Sequence, residues 1–150
     1  MPTPNRPLAR LQQLPTWQLS QTAAHAHRLL TAALATADAT GYHARLLAAL
    51  QESGPASQAA LGRRTGIDRS DVVAALNDLA GRGLVRRAPD PADRRRNTVT
   101  LTPAGTRQLR RLEGVLAGVQ DQLLAPLSPP EREQLTRLLT RILEHHTKSQ

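Results

Sequence analysis

The chain has 150 residues, no cysteine, no phenylalanine, one tryptophan and one tyrosine, and a formal net charge of +8. That length suits one domain, or one domain with a dimerisation extension. The lack of cysteine excludes disulfides, thiolate metal sites and thiol-based redox sensing by this chain, and the strongly basic balance favours an acidic partner.

Nineteen of the twenty basic residues are Arg, which suits phosphate recognition better than Lys, although the richness in Ala and Leu matches a GC-rich coding bias as well. No apolar run reaches membrane-spanning length and the first residues lack a signal-peptide core. The expectation is a cytoplasmic, nucleoid-associated protein with no membrane partner.

Met1 to Pro15 carries four prolines and few large apolar residues, so it reads as a mobile arm or extended strap, with Arg6 and Arg10 in it. Thr16 is placed to cap a first helix running to about Ala37, with Trp17, Ala24, His27, Leu30, Leu34 and Ala37 near one stripe. His25 and His27 lie two apart and point about 200° from each other on a helix, so they cannot chelate one ion together. One of them is expected at the surface and the other packed.

Asp38 to Gly41 breaks this helix. A second is predicted over Tyr42 to Gln51, with Leu46, Ala49 and Leu50 apolar, ended by Gly54-Pro55. Ser57 caps a third, Gln58 to Arg64, closed by Gly66. After a tight turn, Asp68 opens a fourth, with Asp71 completing a variant capping box. The pair of helices has the form of a helix-turn-helix, and the second would be its recognition helix.

Val72, Leu76 and Leu79 fall on one stripe of that fourth helix. Ser70, Ala74 and Asn77 fall on the opposite one, with Val73 at its edge and Arg69 at its start. A solvent face usually carries charge, whereas this one is small and neutral. Such a face suits base edges: Asn pairs two-pronged with adenine, Ser bonds several bases, and Val or Ala touches a thymine methyl. The competing reading is a weakly polar solvent face. Gly81 and Gly83 end the helix.

Leu84 to Arg87 and Asn97 to Leu101 read as two strands of a hairpin. Between them lies Ala88 to Arg96, stiffened by Pro89 and Pro91 and tipped by Arg94, Arg95 and Arg96. Three adjacent arginines repel one another unless a polyanion is present. Asp93 is positioned to pair with one of them and fix the tip.

Thr102 and Pro103 open a fifth helix in which Leu109, Leu112, Leu116, Val119 and Leu123 form a coiled-coil type seam. This seam is expected to pack on another helix, partly across a two-fold axis, and to project beyond the DNA-binding unit. Pro126 ends it. Ser128-Pro129-Pro130-Glu131 is a capping box for a last helix striped by Leu135, Leu138, Leu139, Ile142 and Leu143, with His145 and His146 in a frayed tail.

The outer helices cannot bury these stripes on a winged core of about sixty residues, so the chain is expected to act as a homodimer. The division expected is an arm and dimerisation helix over 1–38, a DNA-binding lobe over 39–101 and dimerisation helices over 102–150. The fold class is mainly α with a small β-hairpin wing (α+β).

Asp93-Arg94-Arg95 followed by Leu101-Thr102-Pro103-Ala104-Gly105, with Gly83-Leu84-Val85 after the recognition helix, resembles the wing signature of the MarR family of winged helix-turn-helix regulators. The resemblance covers roughly residues 16 to 146. It implies a homodimer on a pseudo-palindromic double-stranded DNA operator, acting as a transcriptional repressor and often released by a small aromatic or anionic effector. The DNA-binding residues would be Arg69, Ser70, Val73, Ala74, Asn77, Asp93, Arg94, Arg95 and Arg96. An effector between the dimer helices and the DNA-binding lobe would meet Trp17, His27, Tyr42 and His43. Urate-responsive relatives use an Arg and an Asp on the recognition helix; the aligned positions here are Ala75 and Asn77, so that chemistry does not carry over.

No catalytic motif is present: there is no H-E-x-x-H, no phosphate-cradling Gly-rich loop and no nucleophile elbow. The expectation is a non-enzyme without cofactor or metal. The alternatives are an architectural, largely non-specific DNA binder and a protein-interaction module. The neutral helix face argues against the first, and the arginine tip against the second.

Overall fold

A computed structural model of the chain describes residues 8–150. Arg6 and the first part of the expected arm lie outside the described residues. The elements run α1 (Ala9–Gln12), α2 (Pro15–Ala35), α3 (Gly41–Ser53), β1 (Ala56–Ser57), α4 (Gln58–Thr65), α5 (Arg69–Gly81), β2 (Val85–Pro89), β3 (Asn97–Leu101), α6 (Pro103–Leu123) and α7 (Pro129–Lys148).

The expected extended strap is partly helical. Residues Ala9–Gln12 form the single turn of α1, and α2 begins at Pro15 with Leu14, not Thr16, as its N-cap. Proline fits there because its missing N–H is one that the first helical turn leaves unpaired in any case. The α2 stripe is also shorter than expected: Leu34 and Ala37 are buried and Trp17 and Leu30 half-buried, whereas Ala24, His25 and His27 are all exposed. Neither histidine is packed, and the His25 ring takes a 2.9 Å contact from the Arg28 guanidinium.

The lobe is built on caps that the residue types dictate. Ser57 accepts the Ala60 N–H at 3.1 Å to start α4, and Gly66 ends it at φ 67°, a left-handed conformation that suits glycine. Asp68 is the N-cap of α5 but its side chain caps nothing. The capping box with Asp71 does not form, because these carboxylates bond elsewhere: Asp68 accepts from the Ser70 hydroxyl and Asp71 from the Tyr42 hydroxyl, both at 3.4 Å. The C-terminus of α5 is a Schellman turn. The Leu84 N–H reaches the Leu79 carbonyl at 2.9 Å and the Gly83 N–H reaches Ala80 at 3.0 Å, with Gly83 at φ 71°.

The hairpin is part of a three-stranded antiparallel sheet in the order β1-β3-β2. The two-residue β1 pairs Ala56 with Val99 and Ser57 with Thr98; no alternation is readable in so short a segment. Strand β2 also runs further than expected, since Ala88 and Pro89 pair with Thr98 and Asn97. Pro89 is tolerated because it ends an edge strand. The core is wholly aliphatic, with Leu46, Leu47, Leu61, Val72, Leu76, Leu79, Val99 and Leu112 fully buried.

The α6 seam packs on other helices, as expected, and it does so within the single chain. Leu109 and Leu112 belong to the core of the lobe, and Val119 is buried within the single chain. Helix α6 packs along α2 and α3, and it satisfies carbonyls of the turn that follows α2: Gln108 donates to Ala37 at 2.9 Å and Arg111 to Thr36 at 3.3 Å. Helix α7 carries the unpartnered stripe instead. None of its residues is buried, and Leu138, Ile142 and Leu143 are exposed. It begins with the expected Ser128–Glu131 capping box, and it stays helical through His145 and His146 to Lys148.

Candidate nucleic-acid interface

The buried face of α5 consists of Val72, Ala75, Leu76 and Leu79. Burying these four turns Arg69, Ser70, Val73, Ala74 and Asn77 outwards, and all five are exposed. Ala75 faces the core, which the expected stripe did not include. The exposed strip is uncharged between Arg69 at its start and Asp78 near its end.

The wing stands beside this helix. Its tip is held by the main chain and by two aspartates. The Asp90 N–H donates to the Arg96 carbonyl at 2.7 Å, and Asp90 accepts the Ala92 N–H at 2.9 Å. Asp93 accepts the Arg95 N–H at 3.0 Å, and its other oxygen lies 3.9 Å from the Arg96 Nε. Asp93 thus shapes the tip through a backbone bond first and an ion pair second. Among the described residues, Arg94 and Arg95 pair with no carboxylate, so their charge faces solvent.

The wing, α4 and the start of α5 meet in a cleft of about 360 Å³ lined by Arg63, Arg69, Arg95 and Arg96 together with Ser57, Gln58, Ala59 and Asn97. Four guanidiniums around one open cleft favour a polyanion strongly. Arg63 is not among the expected DNA-binding residues; the signal for it is its place in the last turn of α4, facing the turn into α5. Arg87 was also missed. From β2 it donates a 2.7 Å hydrogen bond to the Asn77 Oδ1, so α5 and the wing are joined by their polar side chains.

The sequence comparisons agree with this geometry. The profile of the MarR family matches residues 37–96. A solved structure of a probable transcriptional regulator from Pseudomonas aeruginosa is 34% identical, covers 89% of this chain and 99% of its own, and superposes with a TM-score of 0.76. The chain belongs to the MarR family. Among other solved structures, the transcriptional repressor CouR, bound to a 23-mer DNA duplex, is 27% identical with a TM-score of 0.80, covering 90% of this chain and 96% of CouR. The HTH-type transcriptional repressor NicR of Pseudomonas putida is 32% identical over 98 residues, which is 65% of this chain. The matched stretch spans 62% of the length of NicR. The MarR family and fold are those of transcriptional regulators and not of enzymes.

A second cleft, of about 440 Å³, opens between α2 and α3. It is lined by His27, Thr31, Ala35, Ala39, Thr40, Gly41, Tyr42 and Arg45. Of the four residues expected to meet an effector, this brings together His27 and Tyr42. Trp17 lies ten residues before His27, about 15 Å along the helix, and does not line it. His43 is not free. Its Nδ1 accepts the Thr40 N–H at 3.1 Å and its Nε2 lies 3.1 Å from the Asp78 carboxylate, so a ligand would have to displace one of these. Arg45, which the sequence reading did not single out, sits with its guanidinium 5.2 Å from the centroid of the Tyr42 ring. The spacing i, i+3 on one helix was the available signal. Among the described residues there is no cluster of metal-binding side chains, and no helix is long and apolar enough to cross a membrane.

Proposed function

We propose that this chain forms a homodimeric, sequence-specific DNA-binding transcriptional repressor that a small aromatic or anionic effector releases from a pseudo-palindromic operator. The observation that carries the reading is the uncharged face Ser70, Val73, Ala74, Asn77, flanked by the exposed guanidiniums of Arg63, Arg69, Arg94 and Arg95. Phosphate contacts position a protein on DNA, and base edges in the major groove supply specificity. A binder relying on phosphates alone would gain from Arg or Lys along the whole face.

Two copies are proposed because the exposed apolar stripe of α7 and the exposed Leu8, Leu11, Leu14 and Leu19 of the α1–α2 region need a partner. A two-fold pair would present two reading helices to half-sites about one DNA turn apart. In this division α1, α2 and α7 serve dimerisation. The lobe over 39–101 serves DNA binding, with the buried first half of α6 joined to its core.

The cleft between α2 and α3 is the proposed effector site. It combines the Tyr42 ring for stacking with the Arg45 guanidinium for an anion, and its size suits a small ligand. In vitro transcription from a promoter carrying the selected operator tests the reading. Transcript should fall as protein is added and recover with the effector; stimulation by the protein alone would reverse the assignment.

A further inference from the structure

The bond between Arg87 and Asn77 bears on what the reading helix can read. Arg87 follows Val85 by two positions on β2, so it shares the strand face that Val85 buries towards the lobe. Its side chain is half-buried there, and its Nη2 lies 2.7 Å from the exposed Asn77 Oδ1. A guanidinium has donors and no acceptor. The Asn77 carboxamide therefore has to turn its oxygen to Arg87, since the flipped amide would set N–H groups against N–H groups. A charge-assisted bond of this length is among the stronger kinds.

A two-pronged contact with adenine needs both ends of the amide, the oxygen for N6–H and the NH2 group for N7. With the oxygen held on the wing side, Asn77 offers the groove its NH2 donors. We infer that Arg87 is a positioning residue that fixes the Asn77 amide, so that Asn77 reads a base-acceptor edge, that of guanine at O6 and N7, and not adenine. This rests on the reading of α5 as a base-contacting helix proposed above. It makes the wing strand part of the specificity apparatus in addition to its tip arginines.

The experiment is selection from a randomised duplex pool at one fixed salt concentration. It uses the full chain and its Asn77→Ala, Asn77→Asp and Arg87→Met variants, with unfolding temperature measured for each. The wild type should prefer guanine at one symmetric pair of positions by roughly tenfold or more, and Asn77→Ala should flatten that preference. Asn77→Asp keeps a partner for Arg87 but replaces the donors by an acceptor, so the preference should move from guanine to a base donor such as the cytosine amino group. Arg87→Met frees the amide oxygen, and the same positions should shift towards adenine with an unchanged salt slope. Wild-type preference for adenine at the Asn77-dependent positions would overturn the inference. So would a uniform loss in Arg87→Met on every sequence with a reduced salt slope, the signature of a phosphate contact. Should Arg87→Met fail to fold, the surface variant Asn77→Asp decides alone, and retained guanine preference in it refutes the inference. A wild type with no base preference anywhere would sink the base-reading proposal itself, and is seen without any variant.

Discussion

Gly105 in the first turn of α6 lies directly against the main-chain carbonyl of Leu84. A β-carbon there would collide with the Leu84 oxygen and come within 2.7 Å of a Leu101 methyl. The neighbouring Thr102 completes the joint. It caps α6 by accepting the Gly105 N–H at 3.0 Å, and its hydroxyl donates to the Gly83 carbonyl at 2.7 Å. Its N–H donates to Leu84 at 3.2 Å. The Leu-Thr-Pro-Ala-Gly stretch is thus the clasp that fastens the end of the recognition helix, the wing and α6 to one another.

Gly105→Ala should destabilise the fold. Alanine gains about 1 kcal/mol over glycine in a helix interior, but here the added methyl meets backbone, which cannot rotate away. A net loss of about 1–3 kcal/mol is expected from the overpacking. Denaturant unfolding at constant slope checks it, and a variant as stable as the wild type would show that the clasp is looser than described.

Two leucine stripes should respond in opposite ways. Leu112 is fully buried in the lobe, so Leu112→Ala should cost about 2–5 kcal/mol of stability. Leu138 on α7 is 44% exposed in the single chain. Leu138→Glu should leave the helical content intact while light scattering reports a monomer. A stable dimer of the Leu138 variant would place the partner surface elsewhere.

His43 links α3 to α5 through Asp78, and it gives stability a pH dependence. Burial lowers its pKa below the usual 6.5, with Arg82 adding to the effect and the Asp78 carboxylate opposing it. The unfolded chain then takes up the proton more readily than the folded one. The stability involved is fully present above about pH 6.5 and is lost as pH falls through the folded value. Protonation at Nδ1 would also break the bond from the Thr40 N–H that helps to start α3. The unfolding temperature should fall between pH 7.5 and 5.5, and His43→Gln should lose most of that slope. An equal slope in the variant would show that His43 is not its source.

The proposed effector cleft makes its own demand. Aromatic carboxylates should raise the unfolding temperature of the wild type, and Arg45→Ala should weaken their binding by about tenfold or more, the value of a charge-assisted hydrogen bond. An undiminished shift in the variant would remove Arg45 from the site.

The elements that were legible in the sequence are those whose caps are local. Ser57, Gly66, Gly83, Thr102 and Ser128 each announce a helix boundary through their own chemistry, and the 3.6-residue stripe of α5 placed its exposed face correctly. What was not legible depends on distance in the chain. Strand β1 exists because β3 lies beside it, 41 residues later at the Ser57–Thr98 pair and 43 at Ala56–Val99. The α6 seam reads equally well as an inter-chain coil, and only the position of α2 and α3 buries it at home. The buried His43 has its carboxylate partner 35 residues on, in the exposed Asp78, and Asn77 is joined to Arg87 across the Schellman turn. Nothing in local spacing announces either bond.

The central claim is that α5 reads bases while the wing supplies affinity. The direct measurement is the ratio of Kd values for a selected operator and a scrambled duplex of the same composition, taken over a range of salt concentrations for the wild type, Asn77→Ala and Arg95→Ala. The wild-type ratio should reach about a thousandfold or more at physiological salt. Arg95→Ala should weaken binding to both duplexes, reduce the log–log salt slope by about one and leave the ratio standing. Asn77→Ala should lower the ratio and leave the slope. A wild-type ratio near one, or variants that lose affinity equally on both duplexes, would contradict the account and make the protein a general DNA coat.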